Sequence, residues 1–198
     1  MPDTNNRALI AETIAESVRT KELLAQECVD DIHQCGRILS ECAQEGRLIM
    51  FCGNGGSAAD SQHLAAELVV RLRGNVERRA IAALALTVDT SILTAGGNDY
   101  GFTNVFSRQV EAYGRAKDVL IAITTSGTSP NVVRAVEVAK QRGVITIGLL
   151  GGTGGVLRDL CDASVVVPSA VTARIQESHI LIGHIWCEMV ENSILSQE

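Results

Sequence analysis

The residues able to do chemistry in this sequence fall into two sets, one of carboxyl and imidazole groups and one of hydroxyls. His63 and Glu67 stand four apart, so on a helix both side chains leave one face and can meet a single ligand or metal ion. A solvated ion pair has the same spacing, and spacing alone does not choose between them. Far along the chain, Gln176, Glu177 and His179 precede His184, which lies inside the apolar run at 180–186 and is expected to be partly buried. An imidazole placed there can transfer protons near neutral pH, or it can be a satisfied core histidine. Glu177 aligns with His184 at seven residues better than Gln176 does at eight, so periodicity leaves both open.

The hydroxyl set is Thr124, Thr125, Ser126, Thr128 and Ser129, interrupted by Gly127 and followed by Pro130, a residue suited to the first turn of a helix. Hydroxyls and unpaired backbone N–H groups at a helix start favour an anion such as a phosphate monoester. The loop has no Lys, which argues against a nucleotide P-loop. Simple N-capping by hydroxyl residues is the competing explanation. A second turn, Gly53, Asn54, Gly55, Gly56 and Ser57, brings backbone close to a ligand, and Asn54 or Ser57 can hydrogen-bond sugar hydroxyls. It only approximates the dinucleotide fingerprint, because Ala58 stands where that pattern would continue. The glycine-rich stretch at 151–155 reads most simply as a flexible loop.

Strands and helices must position these groups. Residues 5–45 keep a helical pattern without Pro, as one long helix or two with a bend, and Gly46 stops it. Short apolar runs at 48–52, 81–86, 119–123, 144–150 and 163–167 predict five buried strands. Helices are expected at 58–73, in a short piece ending near Gly96 and Gly97, and at 102–113, 130–142, 156–161 and 172–195. Strands alternating with helices specify a doubly wound parallel α/β fold, whose ligands sit beyond the carboxyl ends of the strands. Both candidate loops fall at such ends.

Bulk properties narrow the function. A chain of 198 residues fits one domain, a helical N-terminal arm at 1–45 followed by an α/β core and C-terminal helix at 46–198. A net charge of −6 with no dense Lys/Arg cluster excludes a nucleic-acid surface, and 3% aromatic residues leave little for base stacking. The N-terminus lacks the continuous apolar core of a signal peptide, and the longest apolar runs are strand-sized, so no membrane partner and a cytoplasmic location are expected. Cys28, Cys35 and Cys42 recur every seven residues with Ile32 and Leu39 completing the stripe, which makes them buried small hydrophobes rather than redox or zinc ligands.

Taken together, CGNGGSAADSQHLAAEL at 52–68, GGNDYGF at 96–102, FSRQVEA at 106–112, TTSGTSPNV at 124–132 and ARIQESHILIGHI at 173–185 resemble the sugar isomerase (SIS) domain and, within it, the bacterial phosphoheptose isomerase family. The resemblance covers nearly the whole chain. It implies a five-stranded parallel sheet flanked by helices in a flavodoxin-like three-layer sandwich, a homotetramer with interfacial active sites, and isomerisation of sedoheptulose 7-phosphate to D-glycero-D-manno-heptose 7-phosphate for surface glycans such as lipopolysaccharide.

Carried over by position, the resemblance assigns Asn54, Gly55, Gly56, Asn98 and Asp99 to the sugar, beside the Ser57 hydroxyl that the turn itself offers. It assigns Thr124, Thr125, Ser126 and Ser129 to the phosphate. His63, Glu67, Gln176 and His184 correspond to a cluster that holds one zinc ion per subunit. Glu67 and His184 are its catalytic pair, and Glu67 and Gln176 also touch substrate. The resemblance thus selects Gln176 over Glu177. Three positions depart from the family pattern: Thr128 for a usual Asn, Thr124 for a common Ser, and Thr153 for a usual acidic residue. A non-catalytic replication-initiation regulator resembles the same family but lacks the Glu and the late His, and both are present here.

Overall fold

The computed structural model describes residues 2–196, with side chains from 5 to 196, so residues 1, 197 and 198 of the expected unit lie outside the described residues. The helical N-terminal pattern resolves into α1 (Pro2–Glu27) and α2 (Val29–Gln44), with the bend at Cys28. Asp30 and Asp31 in the first turn of α2 complement its positive end, and Gly46, at φ +67, turns the chain toward the sheet. The expected stripe holds: Cys28, Ile32, Cys35, Leu39 and Cys42 are all buried. Burial pushes the Cys35 and Cys42 thiols up to about 12, so they pack as neutral apolar groups.

Five parallel strands follow, β1 (Ile49–Gly53), β2 (Ala83–Ala85), β3 (Val119–Thr124), β4 (Ile145–Gly151) and β5 (Ala163–Val167). Their spatial order is β2-β1-β3-β4-β5. From β1 the chain moves outward to β2, then crosses back to place β3 on the other flank of β1. The carboxyl ends of β1 and β3 therefore border the point where connections diverge, the usual ligand crevice of such sheets. Register places Phe51 beside Ile121 and Gly53 beside Ile123.

Alternation along the strands sends side chains to two apolar layers. Ile49, Phe51 and Ile121 pack with α2, with α3 (Gly56–Val69) and with α8 (Thr172–Leu195), where Trp186 donates its indole N–H to the Ile32 carbonyl. Met50, Leu120 and Ala122 face the opposite layer, built by α5 (Val105–Tyr113), α6 (Pro130–Gln141) and α7 (Leu157–Leu160). The result is the expected doubly wound, three-layer α/β sandwich.

Several boundaries differ from the pattern-based expectation: the strand expected at 81–86 is only Ala83–Ala85, the helix expected at 102–113 begins at Val105, and two other helices end elsewhere. Helix α3 stops at Val69, not near Arg73, because the following residues find tertiary partners. The Arg78 guanidinium caps the helix end, donating to the carbonyls of Glu67 (2.8 Å) and Leu68 (2.9 Å). Glu191 of α8, fully buried, pairs with Arg78 and Arg73 and accepts the Leu72 N–H. Helix α4 (Thr90–Tyr100), capped by the Asp89 carboxylate, runs through Gly96 and Gly97 and ends at Gly101, where φ reaches +78. A glycine pair is a weak stop when its backbone keeps φ < 0. A single 3-10 turn, Phe102–Asn104, then leads into α5.

Candidate active site at the carboxyl ends of β1 and β3

The hydroxyl loop leaves β3 at Thr124 and enters α6 with Pro130 in its first turn. The hydroxyls form a chain: Thr124 to Ser129 at 3.0 Å, Thr124 to Ser126 at 3.4 Å, and Thr128 to Ser126 at 3.0 Å. Ser129 makes no side-chain capping bond to α6, so the capping explanation does not describe what these hydroxyls do. Thr125 is half-buried beside them. Thr128, one of the three departures, takes part in the network through both its hydroxyl and its N–H.

The stretch at 151–155, expected to be a flexible loop, is instead packed against this cradle. A Cβ on Gly127 would lie 1.8 Å from the Gly154 carbonyl oxygen, and one on Gly155 would lie 2.6 Å from the Gly127 backbone. Gly127, Gly154 and Gly155 all adopt positive φ. The Leu157 N–H donates to the Gly127 carbonyl at 3.2 Å, fixing the contact. Backbone-to-backbone packing needs no side-chain pattern, so composition alone shows only the glycines.

Across the switch point, Gly53 ends β1. It must be glycine, because a Cβ there would meet Ser57 Cβ at 2.7 Å and the Ile123 carbonyl at 2.9 Å. Asn54 is exposed, Gly55 turns at φ +56, and Gly56 opens α3 with the Gln176 side chain of α8 close against it. Ser57 is buried, and its carbonyl accepts the Ser61 hydroxyl. The Asn54 and Asn131 carboxamides bond each other reciprocally, both at 2.9 Å. Asn98 and Asp99 are exposed on α4, where Asn98 donates to Asp99 at 2.7 Å.

The carboxyl and imidazole groups expected to act as acid and base meet between α3 and α8. His63 Nε2 lies 2.8 Å from His184 Nε2 and 3.4 Å from Glu67 Oε1, and the ligand atoms of all three lie within 4.8 Å of one another. Two imidazole nitrogens and a carboxylate oxygen make a donor set that can hold a metal ion. The Glu67 side chain is 19% exposed and that of His63 47%, so the cluster opens to the surface. One chain suffices to bring the two helices together.

The structure also separates the two candidates that periodicity left open. Gln176 points into the cluster region, donating its amide N–H to Asp60 Oδ1 at 2.7 Å. Glu177 turns the other way, toward Arg174, Lys21 and Ser17 of α1. Asp60 is a residue that sequence reasoning missed. It is 5% exposed, and burial raises its carboxyl above the usual range against the lowering influence of Gln176, His63 and His184. Its spacing to His63 and Glu67, three and seven residues, lies on their helical face and was the available signal.

Farther up α8, His179 is fully buried, and its Nε2–H donates to the Leu150 carbonyl at 2.9 Å. Burial holds its pKa down to about 4, so the ring is neutral and clamps α8 to the end of β4.

Comparison with known proteins places this architecture. The SIS domain family matches residues 13–151. The chain is 54% identical over 184 residues to the phosphoheptose isomerase of a Nitratiruptor species, covering 93% of this chain and 97% of that protein. Its fold is similar to the phosphoheptose isomerase structures from Neisseria gonorrhoeae (TM-score 0.88, 44% identity) and Francisella tularensis (TM-score 0.90, 36% identity), each comparison covering 94% of this chain and 98% of the other. The chain belongs to the phosphoheptose isomerase family of SIS-domain proteins.

Proposed function

We propose that this chain is an aldose–ketose isomerase converting sedoheptulose 7-phosphate to D-glycero-D-manno-heptose 7-phosphate, the opening step of heptose synthesis for lipopolysaccharide or other surface glycans. The observation that carries this is the convergence of Glu67, His63 and His184 within 4.8 Å at a switch point that also presents a hydroxyl-lined anion cradle. Family membership at 54% identity supports the same activity.

Isomerisation takes a proton from C1 of the ketose, passes through an enediolate, and returns a proton to C2, while the hydroxyl proton moves from O1 to O2. Glu67 and His184 are the pair that accepts and returns these protons, and Gln176 steadies the negative charge that develops on oxygen. Thr124, Thr125, Ser126 and Ser129 bind the phosphate with the N–H groups at the start of α6. Asn54, Gly55, Gly56 and Ser57 contact the sugar chain, together with Asn98 and Asp99. His63, Glu67, Gln176 and His184 would hold one zinc ion, with the Gln176 nitrogen committed to Asp60 and its oxygen the atom to offer. Zinc supplies Lewis-acid polarisation of substrate oxygens when bound.

The chain works as a single SIS domain over 1–198, because Ile32, Cys35 and Leu39 of the N-terminal arm share one core with β1 and β3. It assembles as a homotetramer in the cytoplasm with active sites at subunit interfaces. Exposed Leu9, Ile10, Ile14 and Val18 on α1, and Leu181 and Ile185 on α8, support the assembly. Asn98 and Asp99, exposed on α4, would line such a shared site. Among the described residues no helix is long and apolar enough to cross a membrane, and the net charge of −6 does not suit nucleic acid. Purified protein given sedoheptulose 7-phosphate should form the aldose, more slowly after treatment with a chelator. No aldose with or without added zinc would overturn the reading.

A further inference from the structure

We infer that Asn131 is a positioning residue of the isomerase, holding the Asn54 carboxamide in the one orientation that serves the sugar. The inference rests on the isomerase reading, and it begins with the reciprocal bonds between residues 77 positions apart, each 2.9 Å. Each carboxamide has two N–H donors and two acceptor lone pairs. The pair uses one of each from both partners, so flipping either amide alone would set oxygen against oxygen and N–H against N–H. Asn54 is thereby locked, with its second N–H and second lone pair left to face outward.

The two partners are not equivalent. Asn131 is 3% exposed in the first turn of α6, fixed by the helix and by the packing of its neighbour Val132. Asn54 is exposed on a turn between Gly53 and Gly55, where, among the described residues, its side chain is anchored by the Asn131 amide alone. Without Asn131, an exposed Asn in a glycine turn would sample several rotamers and both amide orientations, and substrate binding would have to order it. Asn131 therefore acts through Asn54, and not by touching substrate. The bond also ties the β1 turn to the start of α6, so the sugar end and the phosphate end of the site are joined by one amide pair.

The test is a double-mutant cycle on kcat/KM with sedoheptulose 7-phosphate, using Asn54→Ala, Asn131→Ala and the double variant, each also followed by thermal melting. Loss of the orienting pair should lower kcat/KM by about tenfold in Asn131→Ala, the scale of one or two hydrogen bonds. The double variant should be no worse than Asn54→Ala. Losses that multiply in the double variant, or an Asn131→Ala enzyme with unchanged kcat/KM, would overturn the inference. Asn131→Asp keeps the volume and one of the two bonds but cannot donate to Asn54. If the alanine variant fails to fold, the aspartate variant should show the same loss and the same non-additivity with Asn54→Ala. A wild-type enzyme with no turnover would instead sink the isomerase reading itself.

Discussion

The hydroxyl cradle after β3 and the carboxyl–imidazole cluster between α3 and α8 occupy the ends of neighbouring strands, yet they are built by opposite means. The cradle is contiguous, six residues at 124–129, and its shape is set by backbone: Gly127 at positive φ pressed against Gly154 and Gly155. The cluster is discontinuous, with His63 and His184 separated by 121 positions and meeting at 2.8 Å because two helices are pinned in place. Those pins are buried polar contacts, His179 on the Leu150 carbonyl and Glu191 on Arg73 and Arg78. Each half therefore fails in its own way. The cradle has no titrating group and is vulnerable to a single added methyl, whereas the cluster depends on the buried His179 and Glu191 contacts that hold its two helices in place.

The largest effect expected is on the cluster alone. Glu67→Gln keeps the shape but removes the proposed proton acceptor, and kcat should fall by about a thousandfold or more while KM stays within a few-fold. A KM that rises as steeply as kcat falls would mean the two halves are not separable.

Acid should weaken the cluster's foundation next. His179 is held to about 4 in the folded protein, below the ordinary histidine value of about 6.5, so the unfolded chain takes up a proton first as pH falls. Its contribution is fully present above about pH 6.5 and is lost as pH drops toward 4, by roughly 3 kcal/mol in all. Denaturant melts across this window should show the decline. His179→Gln can still donate to Leu150 without titrating, and its decline should be shallower.

The cradle is probed by Gly127→Ala, whose Cβ has no room beside the Gly154 carbonyl. Strain of about 1–3 kcal/mol at a positive φ, together with the displaced loop, should reduce affinity for inorganic phosphate at least about tenfold by calorimetry. Ser126→Ala, which leaves the backbone alone and removes one hydroxyl, should cost the least, about tenfold in KM with kcat nearly unchanged. If Ser126→Ala exceeds Gly127→Ala, hydroxyls and not backbone shape govern the cradle.

This division also explains what could be read from the chain. The five strands and the ends of α8 follow from apolar runs bounded by turn residues, and the cysteine stripe of α2 follows from its seven-residue repeat. The end of α3 does not, because Glu191, more than a hundred positions away, draws the segment after Val69 out of helical periodicity. His63 and Glu67 are a visible local pair, but their meeting with His184 is a tertiary fact that spacing could not supply. The resemblance to a family supplied it, and also preferred Gln176, whose neighbour Glu177 proves to be bound to α1. Asn131 carries no local signal of its own, and Asp60 only its place on the helical face of His63 and Glu67, because each is hydrogen-bonded to a partner distant in sequence, Asn54 and Gln176. The buttress at 151–155 escaped because glycines that touch backbone look like glycines that merely bend.

On the proposed mechanism, Glu67 and its imidazole partner carry protons to and from an enediolate. Running the wild-type enzyme and Glu67→Gln in D2O, and following C1 and C2 of ketose and aldose by NMR, tests it directly. Wild type should place solvent deuterium at C2 of the aldose, while the variant, still binding substrate, should place almost none. Aldose formed by the wild type with no solvent deuterium, or equal labelling by Glu67→Gln, would contradict the account.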